Sequence, residues 1–158
     1  MSALPPFRRV VTGIDAQGRS CIQIDGPALP LGGGGAQLAW RTEAIPADNS
    51  ASEDCPAAEF TFDMMNGPGS LCMVMEFAPD MPRFFHATDT IDYVAMLSGA
   101  MVVETETGEV TIRAGDVLVQ RGVQHCWRND SGQPARAMIV SLPSHLVGPA
   151  KDAMGMRT

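Results

Sequence analysis

No Cys-x-x-Cys pair occurs in this sequence: its four cysteines, Cys21, Cys55, Cys72 and Cys126, are scattered. Zinc-ribbon and thioredoxin-like readings fall away, and free, buried thiols are the expectation. Charge is scarce too, at 18% of residues, and the eleven Lys and Arg are outnumbered by eighteen Asp and Glu for a net charge of −7. The cations form no run or stripe, so no nucleic-acid partner is expected and adhesion to anionic lipid is disfavoured. No stretch approaches the roughly 20 apolar residues that span a bilayer. The opening "MSALPPFRRVV" has prolines where an export signal would carry an unbroken apolar core, so the expected compartment is the cytoplasm. Helical periodicity is nearly absent, and no internal repeat is visible beyond the glycines at 32 to 35.

What remains is apolar and alternating. The 158 residues are 45% hydrophobic, the size of one domain with enough core to need no disulfide. "RRVVTGIDAQGRSCIQID" reads as a hairpin turning at "DAQG", "GPALPLGGGG" as a loop, and "AQLAWRTEAI" as a strand. Residues 46 to 56 read as a surface loop. From Glu59 onward, "EFTFDMM", "SLCMVMEFAP", "TIDYVAMLSG", "AMVVETETG", "EVTIRAGD", "VLVQRG", "HCWRND" and "ARAMIVSLP" follow as short strands divided by turn residues. Such spacing predicts an all-β antiparallel sandwich or barrel. The predicted organisation is an N-terminal β-rich extension over 1–57, a barrel over 58–143 and a tail over 144–158 that either forms one short helix or frays.

Two clusters carry candidate chemistry. In a regular strand His86, Thr88 and Asp92 share parity and point together into the barrel. In "GDVLVQRGVQHCWRN", His125 shares parity with Trp127 and Asn129, while Cys126 faces away. Two imidazoles and a carboxylate are a ligand set for a divalent ion such as Fe, Mn, Ni or Zn. The same histidines also read as a hydrogen-bonded pair with no metal. Asp92 reads either as a carboxylate paired with Arg121 or a backbone amide, or as a general base whose pKa is raised in an apolar barrel. Gly99, Gly115 and Gly122 read as turn glycines with positive φ. Met73, Met75 and Met96 belong to a set of methionines that is either soft core filling or the wall of a pliable apolar pocket.

In their order and spacing these residues resemble the two motifs of the cupin superfamily. The first, G-x5-H-x-H-x3/4-E-x6-G, aligns Asp80, His86, Thr88, Asp92 and Gly99. The second, G-x5-P-x-G-x2-H-x3-N, aligns Gly115, Arg121, Gly122, His125 and Asn129, with one residue fewer before the histidine. The resemblance covers about residues 60 to 143 and implies a double-stranded β-helix, a jelly-roll-like barrel. It also implies a homodimer, as is common in the family. Metal-binding members use a second histidine where Thr88 stands and a glutamate where Asp92 stands, so the resemblance implies His86, Asp92 and His125 as the ligands left.

Three functions follow as expectations, each with a small-molecule ligand. The first is a lyase or isomerase of apolar or aromatic metabolites, with Asp92 moving a proton and His86 and His125 assisting, in a pocket walled by Thr88, Met73, Met75, Met96 and Trp127. The second is an Fe(II) oxygenase, and the third a binding protein without catalysis.

Overall fold

The computed structural model describes residues 5–32, 35–50, 53–56 and 58–145. The predicted tail beyond 145 and parts of the glycine tract and the 46–56 loop lie outside the described residues. Among the described residues eleven strands alternate with turns: β1 (Arg8–Ile14), β2 (Ser20–Pro27), β3 (Leu29–Pro30), β4 (Ala36–Arg41), β5 (Leu71–Phe77), β6 (Thr90–Ser98), β7 (Ala100–Thr105), β8 (Gly108–Arg113), β9 (Val117–Arg121), β10 (His125–Arg128) and β11 (Ala135–Pro143). They form an antiparallel six-stranded sheet ordered β3-β4-β5-β11-β6-β9, a three-stranded sheet β10-β7-β8, and the separate hairpin β1-β2. This is the all-β architecture that the strand spacing predicts and the double-stranded β-helix that the resemblance implies. The strands β3 and β4 of the N-terminal extension extend the large sheet past β5, so "GPALPLGGGG" holds a two-residue strand where only a loop was expected.

The alternation in each strand decides which side is dry. Along β6, Thr90, Asp92, Val94 and Met96 point inward and are buried, while Tyr93 and Leu97 point out. The inward rows of both sheets, including Met73, Phe77, Val94, Met101, Val103 and Ile139, join in one core. Burying a side chain of this size stabilises the fold by about 1.5–3 kcal/mol.

The turns match their residues. At the β1-β2 turn, Asp15 Oδ1 accepts from the Gln17 and Arg19 amides, and Gly18 takes φ 76°. Gly99 joins β6 to β7 at φ 73°, where an added Cβ would lie 2.8 Å from Ala135 Cα; both demands exclude a side chain. Gly115 has positive φ as expected. Gly122 does not: it continues from β9 with its amide donated to the Thr90 carbonyl, which holds the backbone in an ordinary conformation.

One predicted strand is wrong. "EFTFDMM" contains a helical turn, α1 (Phe62–Met65), whose Met64 amide is capped by Thr61 Oγ1 at 3.3 Å. A threonine able to satisfy an end amide outweighs the short apolar alternation. All four cysteines are free, Cys55 and Cys126 being buried and Cys21 and Cys72 half-buried. Among the described residues no helix is long and apolar enough to cross a membrane.

Candidate functional site

Between the two sheets lies a cavity of about 160 Å³. Strand β5 supplies Met73, Met75 and Phe77 to its wall, β11 supplies Ile139, and β10 supplies Trp127. Phe60, Met65, Met81 and Phe84 close it from the connecting segments. Its polar groups are few: His86, Thr88, Asp92, Gln120 and His125. A space with apolar walls and a few convergent polar groups is the usual form of a small-molecule site.

The two histidines meet. His86 stands before β6 in an isolated antiparallel bridge with His125 at the start of β10, and each backbone amide donates to the other's carbonyl. Their ring centroids are 4.4 Å apart. His125 Nδ1 lies 2.8 Å from the Val123 carbonyl and His86 Nδ1 lies 3.3 Å from the Phe84 carbonyl. A carbonyl only accepts, so in each ring Nδ1 carries the proton and Nε2 is the acceptor. Burial pushes the His125 pKa down to about 4, with the neighbouring imidazole adding to the fall and the Val123 contact opposing it. Burial also lowers His86, against the Phe84 contact and the charge of Asp92. Both rings are therefore neutral at pH 7. Phe84 stacks on His86 at 4.9 Å.

Asp92 is 2% exposed. Desolvation pushes its pKa up, while the dipoles of Ser141, Thr90 and Gln120 and the nearby His86 pull the other way. Gln120 Nε2 donates to Oδ2 at 3.2 Å. Oδ1 has no well-formed hydrogen bond among the described residues, and neither has the Oγ of Ser141, which stands opposite Asp92 on β11. A buried carboxyl oxygen left without a bond costs about 1–3 kcal/mol, and buried carboxyls with a shifted pKa cluster at functional sites. The alternative partner considered from sequence, Arg121, is excluded by register: it pairs with Ile91 and points to the outer face, while Gln120 pairs with Asp92.

Of the predicted pocket residues, Thr88, Met73, Met75 and Trp127 line the cavity. Thr88 Oγ1 lies 2.7 Å from Thr90 Oγ1. Met96 instead packs in the core, 3% exposed, because its place on β6 lies beyond the end of the cavity. Asn129 is structural, donating to the Phe77 and Gln133 carbonyls. Sequence reasoning passed over Gln120, Phe60, Phe84 and Ile139. The one signal for Gln120 was a neutral polar residue on the same face of "VLVQR" as Leu118.

Of the predicted metal ligands, the structure brings His86 and His125 side by side and places Asp92 on the wall of the same cavity. Two acceptor imidazoles with proton-bearing Nδ1 atoms bonded to carbonyls suit a divalent ion. Yet among the described residues no three His, Cys, Asp or Glu side chains stand close enough to hold one ion. His86 and Asp92 line the same cavity, and each charge acts on the other, but the chain between them leaves the strand and bends at Asp89, so shared parity along one regular strand does not describe how they are placed. The set of His86, Asp92 and His125 does not fit an ion as it stands.

Comparison with known proteins adds family context. The family model for the cupin domain matches residues 73–141. The oryzines biosynthesis cluster protein J of Aspergillus oryzae is 33% identical over 66% of this chain, which spans 62% of that relative's length. The cupin-domain-containing oxidoreductase virC of Hypocrea virens is 32% identical over 87% of this chain and 78% of its own length. Among solved structures, an uncharacterized conserved protein with a double-stranded β-helix domain from Klebsiella pneumoniae has a TM-score of 0.43 and 19% identity, over 53% of this chain and 88% of its own.

Proposed function

This chain belongs to the cupin family, and from that premise we propose that it is a small-molecule enzyme acting on an apolar or aromatic metabolite by proton transfer, as a lyase or isomerase. The carrying observation is Asp92: a buried carboxyl with a raised pKa and an unsatisfied oxygen, at the wall of an apolar cavity that also presents two neutral imidazoles. A carboxyl whose pKa is raised takes and returns a proton more readily near neutral pH. The substrate's activated C–H proton would pass to Asp92, and return to another atom gives isomerisation, whereas departure of a leaving group gives elimination. The Nε2 atom of His125 accepts a hydrogen bond from a substrate hydroxyl or N–H, which fixes orientation. Methionine, phenylalanine and tryptophan walls suit a ligand with little charge.

A second reading, oxidoreductase, is favoured by the names of relatives such as virC. It needs a co-reactant that takes up electrons. Oxygen uptake separates the two readings. In the proton-transfer reading, Asp92→Asn loses turnover but keeps affinity for an apolar aromatic ligand, read from quenching of Trp127 fluorescence. Turnover undiminished in Asp92→Asn would remove Asp92 from the chemistry.

We also propose a homodimer. The outer face of the large sheet carries an apolar row of Tyr93, Leu97, Val117, Val119 and Met138, each at least 36% exposed, and contiguous exposed patches of this kind mark interfaces.

A further inference from the structure

The amide of Gln120 is held from both sides. It lies on β9 directly opposite Asp92 of β6, 7% exposed, and Trp127 reaches it from the other sheet. Trp127 Nε1 donates to Gln120 Oε1 at 2.7 Å, and Gln120 Nε2 donates to Asp92 Oδ2 at 3.2 Å. An indole N–H only donates, so the amide oxygen must face Trp127 and the NH2 must face the carboxyl. The orientation of this amide is thus dictated by chemistry.

Resting on the acid–base reading of Asp92, we propose that Gln120, locked by Trp127, is the positioning residue of the site: its amide confines any proton carried by Asp92 to Oδ1. Oδ2 must accept from the amide in both protonation states, as a carboxylate oxygen or as the carbonyl oxygen of the neutral acid. The hydroxyl of the neutral acid is then Oδ1–H, and the hydroxyls that act on this carboxyl besides the Gln120 amide are those of Ser141, opposite it on β11, and Thr90. Ser141 Oγ can accept that proton's hydrogen bond or donate to the ionised oxygen, so either state of Asp92 finds a partner through a small rotation. The indole that walls the cavity and the acid that moves the proton are joined through one amide, and a ligand that displaces Trp127 changes the donor facing Asp92.

The amide also favours the charged form of Asp92, so losing it must move the titration upward. The experiment follows the Asp92 carboxyl carbon by NMR against pH in uniformly 13C-labelled protein, the signal being assigned by its absence from Asp92→Asn. Gln120→Leu is expected to raise the Asp92 midpoint. Trp127→Phe, which keeps Gln120 and the apolar wall but releases the lock, is expected to raise it as well. Gln120→Glu keeps the shape and sets two carboxyls face to face, so a two-step titration replaces the single one. A Gln120 that only ties the sheets together would lower the melting temperature and leave the Asp92 midpoint where it was. An unmoved midpoint in whichever of these variants fold overturns the proposal. Failure of the acid–base reading would look different: the midpoints would move as stated, yet Asp92→Asn would keep full turnover.

Discussion

His125 makes the folded protein sensitive to acid by an amount the structure allows to be worked out. Its imidazole is 3% exposed, beside a second neutral imidazole, and burial lowers its pKa from the ordinary 6.5 to about 4. Below pH 6.5 the unfolded chain takes a proton at this position that the folded chain refuses until about pH 4. Stability is therefore full above about 6.5 and falls as pH drops through that window. At 1.36 kcal/mol per pH unit, the loss attributable to His125 is about 3 kcal/mol. For a chain of this length that is about 6–12 °C in Tm. The assay is a series of urea or thermal melts from pH 7.5 to 4 on wild type and His125→Gln, whose amide does not titrate. His86 is lowered in the same sense and stays in the variant, so the acid loss should shrink by about 3 kcal/mol without vanishing. A variant that loses as much stability as wild type on acidification would refute the reasoning.

Two further outcomes are expected. Asp92 has the opposite sign: its folded pKa is raised, so the folded state holds the proton longer and loses stability as pH rises through that range. Asp92→Asn should thus melt higher than wild type at neutral pH, with the gap closing in acid, because its amide accepts from Gln120 and donates to Ser141; a lower melting temperature at pH 7 would count against the unsatisfied oxygen. Val119→Glu, placing a charge on the outer apolar row, should give monomers in sedimentation where wild type gives dimers; an unchanged dimer would put the interface elsewhere.

The barrel was legible because its strands announce themselves locally. "TIDYVAMLSG" is a β-branched and apolar run ended by a turn glycine, and from Thr90 to Leu97 every second residue is buried. The helical turn at Phe62–Met65 was hidden because its cap is a single threonine, a signal easily outvoted by apolar neighbours. At the site, parity in β10 correctly put His125 and Trp127 on one surface with Cys126 behind them. The pairing of Asp92 with Gln120 spans 28 residues and depends on strand register. Nothing within either segment states that register, so Arg121 was considered and Gln120 passed over. Depth was equally invisible: the strand rule gives the direction in which Met96 and Met73 point, whereas only the closed barrel decides that one ends in core and the other at the cavity.

The central claim is that Asp92 moves a proton for an apolar ligand held in this cavity. It is tested most directly by incubating wild type and Asp92→Asn in D2O with a panel of aromatic ketones bearing an exchangeable α-hydrogen, and reading deuterium uptake by mass spectrometry. The account predicts uptake into at least one ketone with wild type, above the rate in buffer, and none above that rate with Asp92→Asn. Equal uptake with both proteins, or none with wild type for ketones that quench Trp127, would contradict it.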